Sequence, residues 1–266
     1  MKYTINYALV CNRGKIRVIN QDNFWCMGKY LESENEGLDT GMNGEVSFED
    51  NPVFAVFDGM GGEQYGEVAA YIAADSFNSL YNNAKTAGTA ITGELITEIC
   101  RQTNGVITSF AKQKYANCVG TTAAIAAFGE KEIFACNIGD SRIYRYANKK
   151  LTQVSKDHVI DIFRDRKPPL TQFLGIPETE FIIEPYISKK PYKNGVCYLI
   201  CSDGLTDMVS ENEIKKIIAA NQDVKICADI LLEKALANGG MDNITIILCR
   251  VKEQKIPFFQ RLFKKA

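Results

Sequence analysis

Histidine is nearly missing from this chain. His158 stands alone among 266 residues, so a Ser-His-Asp or Cys-His mechanism is difficult to assemble, and a zinc site would need an unusual ligand set. Paired cysteines are missing too. The nine cysteines include no Cys-x-x-Cys, and an odd number without an export signal argues for reduced thiols. Cys197 and Cys201, four apart in VCYLIC, fall on one face of a strand, as core residues do. Net charge is also small: 31 Lys+Arg against 32 Asp+Glu leaves −1, which gives no broad field favouring nucleic acid or an anionic membrane. No apolar run approaches the roughly 18 residues of a membrane-spanning helix. The start, MKYTINYALV, has no apolar stretch followed by a small-residue cleavage site. A cytoplasmic protein is expected.

What remains is ordinary globular material, 46% hydrophobic, enough for one large domain or two small ones. β-branched and aromatic runs at Val53–Phe57, Thr122–Phe128, Ile133–Asn137, Ile143–Tyr146, Val196–Cys201 and Ile244–Val251 predict strands. Amphipathic periodicity predicts helices over Gly66–Tyr81, Gly93–Lys114, Ser210–Ala220 and Val224–Asn238, with Glu211 and Glu213 suited to the positive end of the third. Strands, two helices, a run of strands, two helices and a last strand do not make βαβ alternation. The order points to an α+β fold with mainly antiparallel strands. The polar stretch Gly28–Asn51 reads as the longest loop. Residues 1–252 read as the domain and 253–266 as a basic tail, whose Phe258, Phe259, Leu262 and Phe263 could line a short amphipathic helix.

The informative pattern is where the carboxylates fall. PVFAVFDGMGG carries a buried strand into Asp58 and a glycine-rich turn. VCYLICSDGLTD does the same with Asp203 and adds Asp207. EIFACNIGDSR leads to Asp140, and GGMDNITIILCRV sets Asp242 just ahead of a strand. Arg17, Gln21 and Asp22 share the segment RVINQD. Singly, each Asp-Gly or Asp-Asn is an ordinary turn. Pairing the strands could bring four or five carboxylates to one rim, where they would repel and resist desolvation. A hard divalent cation removes that conflict; magnesium or manganese fits, zinc does not. Gly59, Gly61 and Gly62 match neither G-x-G-x-x-G nor a P-loop, and Asp58 would repel a phosphate.

These segments resemble the PPM/PP2C family of metal-dependent serine/threonine phosphatases, especially its bacterial branch. The matching motifs are R-x-x-N-Q-D at Arg17–Asp22, D-G-M-G-G at Asp58–Gly62, G-T-T at Gly120–Thr122, G-D-S-R at Gly139–Arg142, S-D-G-L-T-D at Ser202–Asp207 and M-D-N-I-T at Met241–Thr245. The resemblance implies a four-layer αββα sandwich, two antiparallel sheets flanked by helix pairs. It implies two Mn2+ or Mg2+ ions, with Asp58 bridging both and the Gly59 carbonyl completing one shell. Asp203 and Asp242 would hold the first ion, and Asp22 would support the second through water. Asp140 and Asp207, with Asp203, match a weaker third site. Arg17 would grip the substrate phosphate through its planar fork. The implied reaction is attack of a metal-bridging hydroxide on phosphoserine or phosphothreonine, in proteins phosphorylated by a serine/threonine kinase. Small phosphoesters are an alternative, since the metal core does not choose the leaving group, and an inactive binding module is another.

Three departures stand out. Gln21 replaces a glutamate of many relatives and removes a negative charge. Met60 replaces a histidine often proposed as general acid. The stretch from His158 to Leu170 is short for the family's flap, which implies a more open site and altered substrate selection or third-metal dependence. His158 itself, after a polar strand end, reads as structural.

Overall fold

In this computed structural model, described for residues 3–60, 65–116, 118–129, 132–160, 168–177, 179 and 181–254, strands dominate the order of elements. They are β1 (Tyr3–Asn12), β2 (Asp22–Cys26), β3 (Met42–Ser47) and β4 (Val53–Asp58). Next come helices α1 (Gly66–Thr86) and α2 (Gly93–Lys114), then β5 (Ala123–Phe128), β6 (Glu132–Ile138), β7 (Arg142–Ala147), β8 (Lys150–Gln153), β9 (Tyr186–Pro191) and β10 (Cys197–Cys201). A single turn, α3 (Asp203–Thr206), precedes α4 (Glu211–Ala220), α5 (Val224–Ala237) and β11 (Ile244–Glu253).

The strands form two antiparallel sheets, ordered β3-β1-β11-β10-β7-β8 and β2-β4-β5-β6-β9. Period-two alternation gives each sheet two apolar faces. Ile5, Leu9, Ile200 and Ile247 meet Phe54, Val56, Ala124 and Phe128 between the sheets. On the outer face of the β4 sheet, Ala55, Phe57 and Ile125 pack against Ala70, Phe77 and Ile96 of α1 and α2. On the other outer face, Leu199, Ile246 and Leu248 pack against Ile214, Ile218 and Leu231 of α4 and α5. The result is the four-layer αββα sandwich that the motifs imply.

Local chemistry sets the helix starts. The Thr92 hydroxyl accepts the Leu95 N–H at the head of α2. Ser210 and Glu213 form a reciprocal capping box on α4, and the Asp223 carboxylate caps α5. Such caps satisfy amides with no partner inside the helix.

The stretch Gly28–Asn51 is not one loop. It contains β3 and a 3-10 turn at Phe48–Asp50. β3 is an edge strand, and its burial pattern leaves most side chains at least partly wet, which gives it a polar sequence that hides it. The helix expected within 253–266 falls almost wholly outside the described residues, as do Gly61, Gly62 and the middle of the short flap, 161–167. Among the described residues, no helix is long and apolar enough to cross a membrane.

Candidate metal centre

Strand ends deliver the acidic residues to one end of the sandwich. Asp58 is the last residue of β4 and sits opposite Asp22, the first of β2, in antiparallel register. Like charges directly opposite across a strand pair are unfavourable unless something offsets them. The Asp58 backbone is pinned by Thr122, whose hydroxyl accepts the Asp58 N–H (3.1 Å) and whose own N–H donates to the Asp58 carbonyl (2.8 Å). Thr122 Oγ1 in turn shares a 2.7 Å hydrogen bond with Ser141 Oγ, next to Asp140 in the β6–β7 turn.

Gly59 follows, its N–H donating to the Gln21 carbonyl at 3.0 Å. A Cβ here would lie 2.2 Å from the Gly66 carbonyl oxygen, so only glycine fits between the β2 and α1 approaches. Asp203 opens α3 directly after β10.

Asp58, Asp140 and Asp203 line one cavity of about 220 Å³, together with Met60, Thr122, Pro168, Pro169 and Leu170. The last three come from the far side of the flap. Its base is described: Val159 bridges Leu170, and the Thr171 N–H donates to the His158 carbonyl.

Asp22 lies beneath, only 1% exposed. Its Oδ2 accepts from both Ser202 Oγ and Thr245 Oγ1, each at 2.7 Å. These bonds cross from the β4 sheet to the β10–β11 pair, tying the two sheets at the site. Asp242 precedes β11 at the same end and receives a 2.8 Å ion pair from Arg17 Nη2. Asp207 is the exposed C-cap of α3, with its N–H donating to the Asp203 carbonyl, and does not line the cavity.

The structure thus joins Asp58, Asp140 and Asp203, sets Asp22 behind them, pairs Arg17 with Asp242 and leaves Asp207 one turn away. Among the described residues, no three acidic, thiol or imidazole side chains converge at ligand spacing. The cavity is an acidic cup, not a closed cage. Its donors are hard oxygens, with no imidazole or thiol in the described lining, which fits magnesium or manganese and not zinc.

Three neighbours, Asn243, Thr245 and Glu67, escape sequence reasoning. Asn243, 4% exposed, accepts the Gln21 N–H and donates to the carbonyls of Arg13 and Ile19. It fastens the Arg17 loop to the foot of β11. Gln21 Nε2 donates to Glu67 Oε2 of α1 at 3.2 Å, so a carboxylate stands beside the amide. Asn243 and Thr245 do sit inside the M-D-N-I-T motif, the one signal that could have flagged them.

His158 is structural, as its position suggests. Its Nδ1 accepts the Gly139 N–H (3.2 Å) and its backbone N–H donates to the Gly139 carbonyl, fixing the turn that carries Asp140. Burial, with Lys156 adding to it, pushes the imidazole below its ordinary value, as an acceptor nitrogen requires.

A family profile for protein phosphatase 2C matches residues 44–235. The chain belongs to that family. Among curated relatives, the serine/threonine phosphatase stp of Listeria monocytogenes is 30% identical over 256 residues, spanning 89% of this chain and 92% of that one. The catalytic domain of the serine/threonine protein phosphatase PstP, solved in complex with two manganese ions, superposes with a TM-score of 0.72. It is 25% identical, and the match covers 94% of this chain and all of that one. The serine/threonine phosphatase Stp1 from Staphylococcus aureus gives 0.75 at 24% identity, over 93% of this chain and 95% of that one.

Proposed function

We propose that this chain is a metal-dependent phosphoprotein phosphatase acting on phosphoserine and phosphothreonine. The observation that carries the reading is the shared cavity of Asp58, Asp140 and Asp203, backed by Asp22 and flanked by the Arg17–Asp242 pair. Membership of the protein phosphatase 2C family supports the reaction class.

Two divalent ions, manganese or magnesium, would be held by Asp58, the Gly59 carbonyl, Asp203 and Asp242, with Asp140 and Asp207 serving a weaker third. Bound there, they supply Lewis-acid chemistry, acidifying coordinated water and offsetting charge on phosphoryl oxygens. The chain's own residues do the rest. Thr122 fixes the Asp58 backbone, and Ser202 and Thr245 lock the Asp22 carboxyl beneath the cup, where it would support the second ion through water. Arg17, on a loop fastened at both ends by Asn243 and paired through Nη2 with Asp242, would turn its remaining guanidinium donors to the phosphoryl group. Met60 and Leu170 on the cavity wall hold no dissociable proton, so neither can protonate the leaving group.

The substrates are proteins phosphorylated by a serine/threonine kinase, in the cytoplasm; the serine/threonine phosphatases among its relatives support the phosphoprotein substrate. The deciding experiment compares wild type and Asp203→Ala across a manganese series, with an aryl phosphate as substrate. Wild type turns over and stops with chelator; the variant loses at least about a hundredfold in kcat/KM, the scale of a lost ligand or oxyanion stabiliser. Near-normal rates in the variant would refute the assignment.

A further inference from the structure

Large apolar side chains are conspicuously wet around Arg17. Ile16 is 59% exposed, Val18 83%, Ile19 52% and Met241 53%. Single exposed aliphatics are common on any surface, but these four are carried by two loops that touch each other. The Lys15 N–H donates to the Gly240 carbonyl at 2.8 Å, and Arg17 reaches Asp242, the neighbour of Met241.

The loop is built, not loose. Asn243 holds the carbonyls of Arg13 and Ile19, and Arg13 Nη1 reaches the Val18 carbonyl. Gly14 adopts φ +81°, and a Cβ there would lie 2.2 Å from the Asp242 carbonyl oxygen. A backbone fixed this tightly holds Ile16 and Val18 in water at a lasting cost in hydration.

We infer that residues 15–19 and Met241 form a docking surface for aliphatic side chains beside the phosphorylated residue of a protein substrate. The inference rests on the phosphatase reading and adds what that reading lacks, a basis for choosing among phosphoproteins. Continuity argues for this occupant. Ile16 and Val18 are the immediate neighbours of the arginine proposed to hold the phosphoryl group. Same-side residues of an extended segment repeat at roughly 7 Å, so a phosphoresidue at Arg17 brings the residues two before and two after it onto these side chains. The surface is aliphatic, which selects against charged flanks through desolvation.

The test uses the full chain with manganese and two phosphothreonine peptides, one with leucine and one with serine at the positions two before and two after the phosphoresidue. An aryl phosphate, which has no flanks, serves as reference. Wild type should favour the leucine peptide about tenfold, through KM and not kcat, the scale of burying one or two aliphatic groups. The double variant Ile16→Ser, Val18→Ser should lose that preference by raising KM for the leucine peptide alone. Equal use of both peptides by wild type, or a preference that survives in the variant, overturns the proposal. So does an equal rise in KM for both peptides, or a wild-type dimer in solution that the variant abolishes. Failure of wild type on the aryl phosphate would instead sink the phosphatase reading.

Discussion

Gln21 and Thr245 show how single side chains set the charge balance beneath the cup. Gln21 donates to Glu67, so Gln21→Glu would place two carboxylates in contact. In chelator that variant should melt lower than wild type, and manganese should raise its melting temperature by more, as scanning calorimetry would show. An equal manganese response would mean that this pair lies outside the reach of the ions. Thr245 Oγ1 gives the buried Asp22 one of its two 2.7 Å bonds. Thr245→Val keeps the shape and removes the donor, so it should cost about 2 kcal/mol in urea unfolding, typical of a bond to a charged group. Asp58 and Asp203 were legible because a buried strand running into Asp-Gly is a local pattern. Asn243 and Thr245 were not, because their partners, Gln21 and Asp22, lie more than 200 positions away.

Among the elements, buried strands and long helices were legible, and edges were not. β4, β5, β6 and β10 are buried almost throughout, and their apolar runs announce them. β9, with Lys189, Lys190 and Pro191, and β8 lie at sheet edges, where polar residues and proline deter further pairing and erase the alternation. β1 is central, but YTINYALVCN mixes polar residues into its first half. The β6–β7 turn has its own pH response. Folding favours neutral His158, whose pKa is pushed below the ordinary 6.5 by burial and Lys156. The unfolded chain therefore takes up this proton first as pH falls. The stability from the neutral ring is complete above about 6.5 and is lost as pH drops below it. Melting curves from pH 7.5 to 5.5 should fall less steeply for His158→Asn than for wild type; parallel curves would remove His158 from the account.

Across the whole molecule, the thiols are set aside from the chemistry. Eight of nine cysteines are buried, with Cys118 half-buried. Burial pushes Cys11, Cys26, Cys201 and Cys227 up to about 12 and Cys197 to about 11. A thiol must ionise to react, so iodoacetamide should modify at most one cysteine per native chain and all nine after denaturation, counted by mass spectrometry. Rapid native labelling at two or more sites would show that the layers open far more often than their packing allows.

That seclusion bears on how such a protein behaves under oxidative stress. Phosphatases that use a reactive thiolate are silenced when peroxide converts it to a sulfenic acid. Here no cysteine lines the described walls of the acidic cup. Peroxide doses that switch off the thiol-based class should leave this protein removing phosphate, so the balance of phosphorylation would tilt toward its own substrates at the moment other erasers fall silent.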